Sequence, residues 1–97
     1  MNYLSEILAF NKLVEYNPTI TRSDICLWHA LMSTADSLGW PKEFNISIST
    51  IMLKSRLSRN SIYNSRNRLK QLGLINFKKN DGCQSATYQM KSIAPLK

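Results

Sequence analysis

Ser58 to Leu74 read SRNSIYNSRNRLKQLGL. Placed on an ideal helix at about 100° per residue, this stretch divides into two sides. Ile62, Ser65, Leu69 and Leu72 fall on one; Asn60, Tyr63, Asn64, Asn67 and Gln71 fall on the other, with Arg59, Arg66, Arg68 and Lys70 on its shoulders. A narrow apolar stripe can seat such a helix on its own domain. Planar amides on the outer side can pair with base edges, and basic shoulders can meet phosphates, which is what a helix lying in the DNA major groove requires. The competing reading of this window alone is a surface helix kept soluble by its charges.

Charge placement favours the first reading. The 97 residues carry a formal net charge of +7. Residues 1–43 hold Lys12, Arg22 and Lys42 against Glu6, Glu15, Asp24, Asp36 and Glu43. Of the acids, only Asp81 lies beyond residue 43, against Lys54, Arg56, Arg59, Arg66, Arg68, Lys70, Lys78, Lys79, Lys91 and Lys97. A basic half on a small domain points to a polyanionic partner. A basic membrane-surface helix would need a broad apolar face opposite its charges, and here that face is narrow and committed to a core. No run of about 18 apolar residues exists to span a membrane, and the N-terminus lacks the basic-then-apolar pattern of a signal peptide. Cys26 and Cys83, without a CxxC pair, read as two reduced thiols of a cytoplasmic protein, with one disulfide as the alternative.

Outward from the Ser58–Leu74 stretch, the chain orders itself as four helices and a hairpin. Residues 3–16 form a first helix, ended by Asn17-Pro18. Its stripe of Leu4, Ile7, Leu8 and Val14, widened by Tyr3, Phe10 and Leu13, is broad enough to make it either a central core helix or a helix shared between the core and a second copy of the chain. Ile7 and Phe10 are the residues assigned to that self-association. A second helix begins near Thr21, where Thr21-x-x-Asp24 resembles a capping box with Asp as the less usual partner, and ends at Gly39-Trp40-Pro41. Phe44-Asn45-Ile46 is a short strand candidate. A short helix runs from Ile48 to about Lys54, and Leu57 and Ser58 lead into the next helix, which stops at Gly73. Leu74, Ile75 and Phe77, a Lys78-Lys79-Asn80-Asp81-Gly82 turn, and Ala86, Tyr88 and Met90 then make a two-stranded hairpin with a basic tip. The fold class is mostly α with a small β-hairpin, a winged helix-turn-helix, with residues 1–90 as the domain and 91–97 as a frayed tail or the start of a linker.

The candidate site residues follow from this arrangement. Asn60, Tyr63, Asn64 and Asn67 are the base-edge candidates. Lys54, Arg56, Arg59, Arg68, Lys70, Lys78 and Lys79 are the phosphate candidates. Arg66, on the inner side, is expected to pack its stem on the core with its guanidinium emerging or paired to an acid. His29 has no neighbouring ligands and reads as a partly buried structural residue; Trp28 and Trp40 read as core. Nothing in the spacing makes a catalytic site, a metal site, a cofactor site or a small-molecule substrate pocket.

The segments LWHALM at 27–32, GWP at 39–41 and LSRNSIYNSRNRLKQLG at 57–73, followed by a hairpin ending in Tyr88, resemble the N-terminal winged-helix domain of phage replisome organisers. These are related to the DnaD-type primosomal proteins of low-GC Gram-positive bacteria. The resemblance covers nearly all of residues 1–90. It implies origin binding in phage or mobile-element replication initiation, self-association, and work with a helicase or helicase loader through a further C-terminal domain. These residues are then the DNA-binding part of a longer chain or a short stand-alone protein. The resemblance also aligns Arg66 and Asn67 with an Ala-Arg-Asn element of the family helix, Ser65 replacing the alanine. The other readings are a small phage-type transcriptional regulator and a winged helix used only for protein oligomerisation.

Overall fold

The computed structural model describes residues 2–79 and 85–94. Its elements are α1 (Tyr3–Tyr16), α2 (Arg22–Ser37), β1 (Phe44–Ser47), α3 (Ile48–Ser55), α4 (Arg59–Gln71), β2 (Ile75–Lys79) and β3 (Ser85–Met90). The expected Asp81-Gly82 turn, and Cys83 with it, lie outside the described residues. Cys26 is a free, half-buried thiol.

Helix boundaries lie where local chemistry puts them. Thr21 Oγ1 accepts from the Asp24 backbone N–H (3.2 Å) while the Asp24 carboxylate accepts from the Thr21 N–H (3.0 Å), the reciprocal capping box. Gly39 (φ 78°) and Trp40 (φ 60°) both turn left-handed after α2, and the Trp40 N–H donates to the Ala35 carbonyl at 2.9 Å. Ser47 caps α3 and Ser58 caps α4, each accepting the N–H of the residue three positions on. Gly73 (φ 78°) closes α4, with the Leu74 N–H returning to the Leu69 carbonyl.

The sheet is antiparallel in the order β1-β3-β2, so β1 joins the hairpin as a third strand. Register pairs Phe44 with Tyr88, Ile46 with Ala86, Ile75 with Met90 and Phe77 with Tyr88. Strand alternation turns these residues to one face, where Phe44, Ile46, Ile75, Ala86 and Tyr88 are buried. That face closes a core filled by Leu27, Trp28, Leu31 and Met32 of α2, Ile51 of α3, and Ile62 and Leu69 of α4. Helices α2, α3 and α4 on this small sheet, with β2 and β3 projecting beside α4, are a winged-helix arrangement.

Helix α1 is an addition to that frame, and it corrects one expectation. Phe10, assigned to self-association, has no exposed surface and stacks on Trp28 at 3.9 Å between centroids, 7° from parallel. Ile7 is half-buried against the same core. Both sit on the inner stripe. The exposed apolar residues of α1 are Leu4, Leu8 and Tyr16. Two further contacts pin the helix: Tyr3 meets Trp40 edge-on at 5.6 Å, and Glu6, 2% exposed, takes the chain's C-terminal residues. The Glu6 carboxylate accepts from Ser92 Oγ (2.7 Å) and from the Ile93 (2.7 Å) and Ala94 (3.3 Å) backbone N–H groups. The Lys91 N–H also reaches the Leu74 carbonyl. Residues 91–94 are therefore held by α1 and by Leu74, just before β2, where the sequence suggests a frayed tail or linker. Composition marks a polar terminus as loose; a buried carboxylate that needs three donors fixes this one.

Candidate nucleic-acid interface

Helix α4 presents the two sides expected of it. Ile62, Ser65, Arg66 and Leu69 are buried. Asn60, Asn64, Asn67 and Gln71 are exposed and lie within about one-fifth of a turn of one another, an unbroken row of amides. Arg59 and Lys70 are exposed beside the row. The first turn of α4 holds no acid, and Arg59 stands there against the positive end of the helix dipole. A helix built for stability alone favours the opposite arrangement.

The turn before α4 adds a second cation. Arg56 lies at φ 60°, the left-handed region, where it ends α3 by donating its N–H to the Met52 carbonyl at 2.9 Å. A side chain there costs about 1–2 kcal/mol that glycine would not. The strained position keeps an exposed guanidinium three residues before Arg59, on the turn that leads to the capping Ser58.

Three candidates are engaged within the domain. Arg68 Nε donates to both Asp24 carboxylate oxygens at 3.0 Å, and its terminal nitrogen reaches Thr21 Oγ1 at 3.3 Å. Asp24 is fully buried and Arg68 is 39% exposed, so this arginine first locks α4 to the cap of α2, with one edge left to solvent. Lys54 donates to Thr34 Oγ1 at 2.7 Å, lying back along α2. Tyr63 is half-buried, its ring occupied by a cation. Lys78 and Lys79, expected together at the wing tip, are exposed on opposite faces of β2, Lys79 on the side of α4.

Burial pushes the Asp24 carboxyl up, but the bonds from Arg68, Thr21 and Ser65 outweigh it and hold the carboxyl below its ordinary value. A depressed carboxylate contributes stability that is present above the unfolded value, about pH 3.9, and lost as pH falls through the folded one. Arg68→Met keeps the stem and removes the partner. It is expected to lower stability by about 2 kcal/mol at pH 7, the pair being partly open to water. In urea titrations the gap between wild type and variant should narrow as pH falls from 7 to 3, because the unfolded chain takes up a proton on Asp24 before the paired carboxylate does. An equal gap at pH 7 and pH 3 would show that the pair is not what Arg68 contributes.

Arg66 departs furthest from expectation. Its guanidinium neither emerges nor meets an acid. It is 5% exposed and packed over the Tyr63 ring (4.7 Å) and the Phe77 ring (4.6 Å), with Nη1 donating to the Tyr88 hydroxyl at 3.2 Å. Burial raises the Tyr88 phenol and Arg66 opposes that rise, so the hydroxyl stays neutral at physiological pH and free to accept. His29 stands edge-on to Trp28 (5.0 Å) and Phe10 (5.8 Å), and burial holds its imidazole below the usual range, in keeping with a structural role.

Phe77, which the sequence marks only as a strand residue, joins α4 to the wing through its ring. Its only signal was alternation in β2, which places it on the inner face without naming its partner. Gln71, on the outer stripe but not among the base-edge candidates, completes the amide row. Among the described residues no helix is long and apolar enough to cross a membrane. Comparison with family models, with curated proteins and with solved structures finds no match.

Proposed function

We propose that this chain binds double-stranded DNA, with α4 in the major groove and the wing on the adjacent backbone. The observation that carries the reading is the exposed row Asn60, Asn64, Asn67 and Gln71, edged by Arg59 and Lys70 on a helix whose other side is buried. Asparagine and glutamine bring the paired donor and acceptor that adenine's major-groove edge requires. Arg56, Arg59, Lys70, Lys78 and Lys79 then meet phosphates, with Arg68 and Lys54 secondary because each already donates a hydrogen bond within the domain. Asn60, Asn64 and Asn67 keep the base-edge role; Tyr63 is set aside for its ring contact with Arg66. The resemblance to phage replisome organisers supports origin binding in the cytoplasm, alongside a helicase or its loader. Self-association is reassigned to the exposed Leu4, Leu8 and Tyr16.

The test is selection of bound sites from random duplex DNA, followed by Asn64→Ala and Asn67→Ala. Each variant should bind the selected site about 1–3 kcal/mol more weakly, with little loss on random duplex. Equal losses on both would mean that α4 does not read bases. A selected sequence that maps to a replication origin favours the initiator; one that maps to promoters favours a transcriptional regulator.

A further inference from the structure

The seam between α4 and the wing gathers positive charge that no described acid pairs with. Arg66 lies over both Tyr63 and Phe77; Lys70 Nζ lies over the Phe77 ring at 5.1 Å, and Lys79 Nζ over the Tyr63 ring at 5.9 Å. Three cations thus share two rings, and through those rings each ammonium lies within about one Debye length, roughly 10 Å at 0.1 M salt, of the Arg66 charge. Among the described residues the one ion pair is Arg68 with Asp24, so no acid bridges any of the three. Four cation–π contacts, at 4.6 to 5.9 Å from the ring centroids, converge on this seam. Arg66 and Lys70 are also one helical turn apart, a like-charge spacing that disfavours the helix. Lys70 comes from the helix and Lys79 from the wing, so an anion seated between them would join the two.

We propose that this seam is a phosphate seat, in which Lys70 and Lys79 take backbone phosphates of duplex DNA between the two elements. Arg66 is a positioning residue there: from beneath, it fixes the rings that aim both ammonium groups. The proposal rests on the DNA-binding reading above and adds to it where the backbone is gripped.

The test compares Lys70→Gln/Lys79→Gln with Lys12→Gln/Lys42→Gln, which removes equal charge from exposed sites outside the seam. One arm measures the thermal midpoint in inorganic phosphate against chloride at equal ionic strength. Phosphate should raise wild type and the Lys12/Lys42 variant by clearly more than the Lys70/Lys79 variant, which keeps only the general stabilisation that phosphate gives any fold. The other arm measures binding to a random-sequence duplex. The Lys70/Lys79 variant should lose at least tenfold in affinity and about 1.8 from the magnitude of the log–log salt slope, two phosphates' worth; the control should lose less than about threefold. An equal phosphate effect in all three proteins overturns the seat, and so do equal duplex losses in the two variants. If wild type binds no duplex at low salt, the DNA reading fails, while the phosphate arm still decides whether the seam holds an anion.

Discussion

Phe10→Ala is expected to destabilise the domain by about 3–5 kcal/mol. The ring has no exposed surface and lies flat on Trp28, so its removal takes away both the transfer energy of a large side chain and a stacked aromatic pair, and leaves a cavity between α1 and α2. That is a large share of what a domain of this size has, and the variant should be partly unfolded at 37 °C. Chemical unfolding monitored by circular dichroism measures it. The outward stripe behaves oppositely. Leu4 is 66% and Leu8 57% exposed, so Leu4→Ser/Leu8→Ser should leave the unfolding midpoint almost unchanged. If α1 pairs copies of the chain, that double variant alone should lower the mass in solution. A stable, folded Phe10→Ala protein with reduced mass would return Phe10 to the self-association face. A wild-type chain monomeric at high concentration would remove the role of α1 altogether.

Arg66→Ala is expected to cost about 3 kcal/mol, through lost stem packing, lost contact with two rings and a Tyr88 hydroxyl left without its donor. Arg66→Met separates volume from charge. A buried cation with no acid at hand pays desolvation that an apolar side chain does not, so the methionine variant should lie within about 1 kcal/mol of wild type. Duplex affinity should nonetheless fall in Arg66→Met, because the charge that aims Tyr63 and Phe77 has gone. Equal destabilisation by alanine and methionine would make the charge itself structural. An unchanged duplex affinity in Arg66→Met would make it irrelevant to binding.

What the sequence shows and what it hides differ by range. The end of α2 is legible because Gly39 and Pro41 act on their own neighbours, and the capping box because Thr21 and Asp24 are three residues apart. The sides of α4 are legible because a helix fixes them by period alone. The second partner of Asp24 is not, because Arg68 is 44 positions away and only the packing of α4 on α2 brings it there. Glu6 and Ile93 are 87 positions apart, so the docked tail leaves no local trace. Phe10 fails for another reason. The stripe on α1 covers more than half of the helix, and periodicity cannot say which part of a broad stripe faces the core until a partner such as Trp28 is in place. Arg66 combines both difficulties: its inner position is visible, but Phe77 and Tyr88 reach it only through strand pairing in the wing.

The central claim, that the exposed amide row and its basic borders face duplex DNA, is tested most directly by measuring duplex affinity across salt concentrations. With about five phosphates neutralised, log K should fall against log salt with a slope near −4 to −5, several hundredfold between 50 and 200 mM. A slope flatter than about −2, or no duplex binding at the lowest salt, would contradict it and leave the fold as an interaction module.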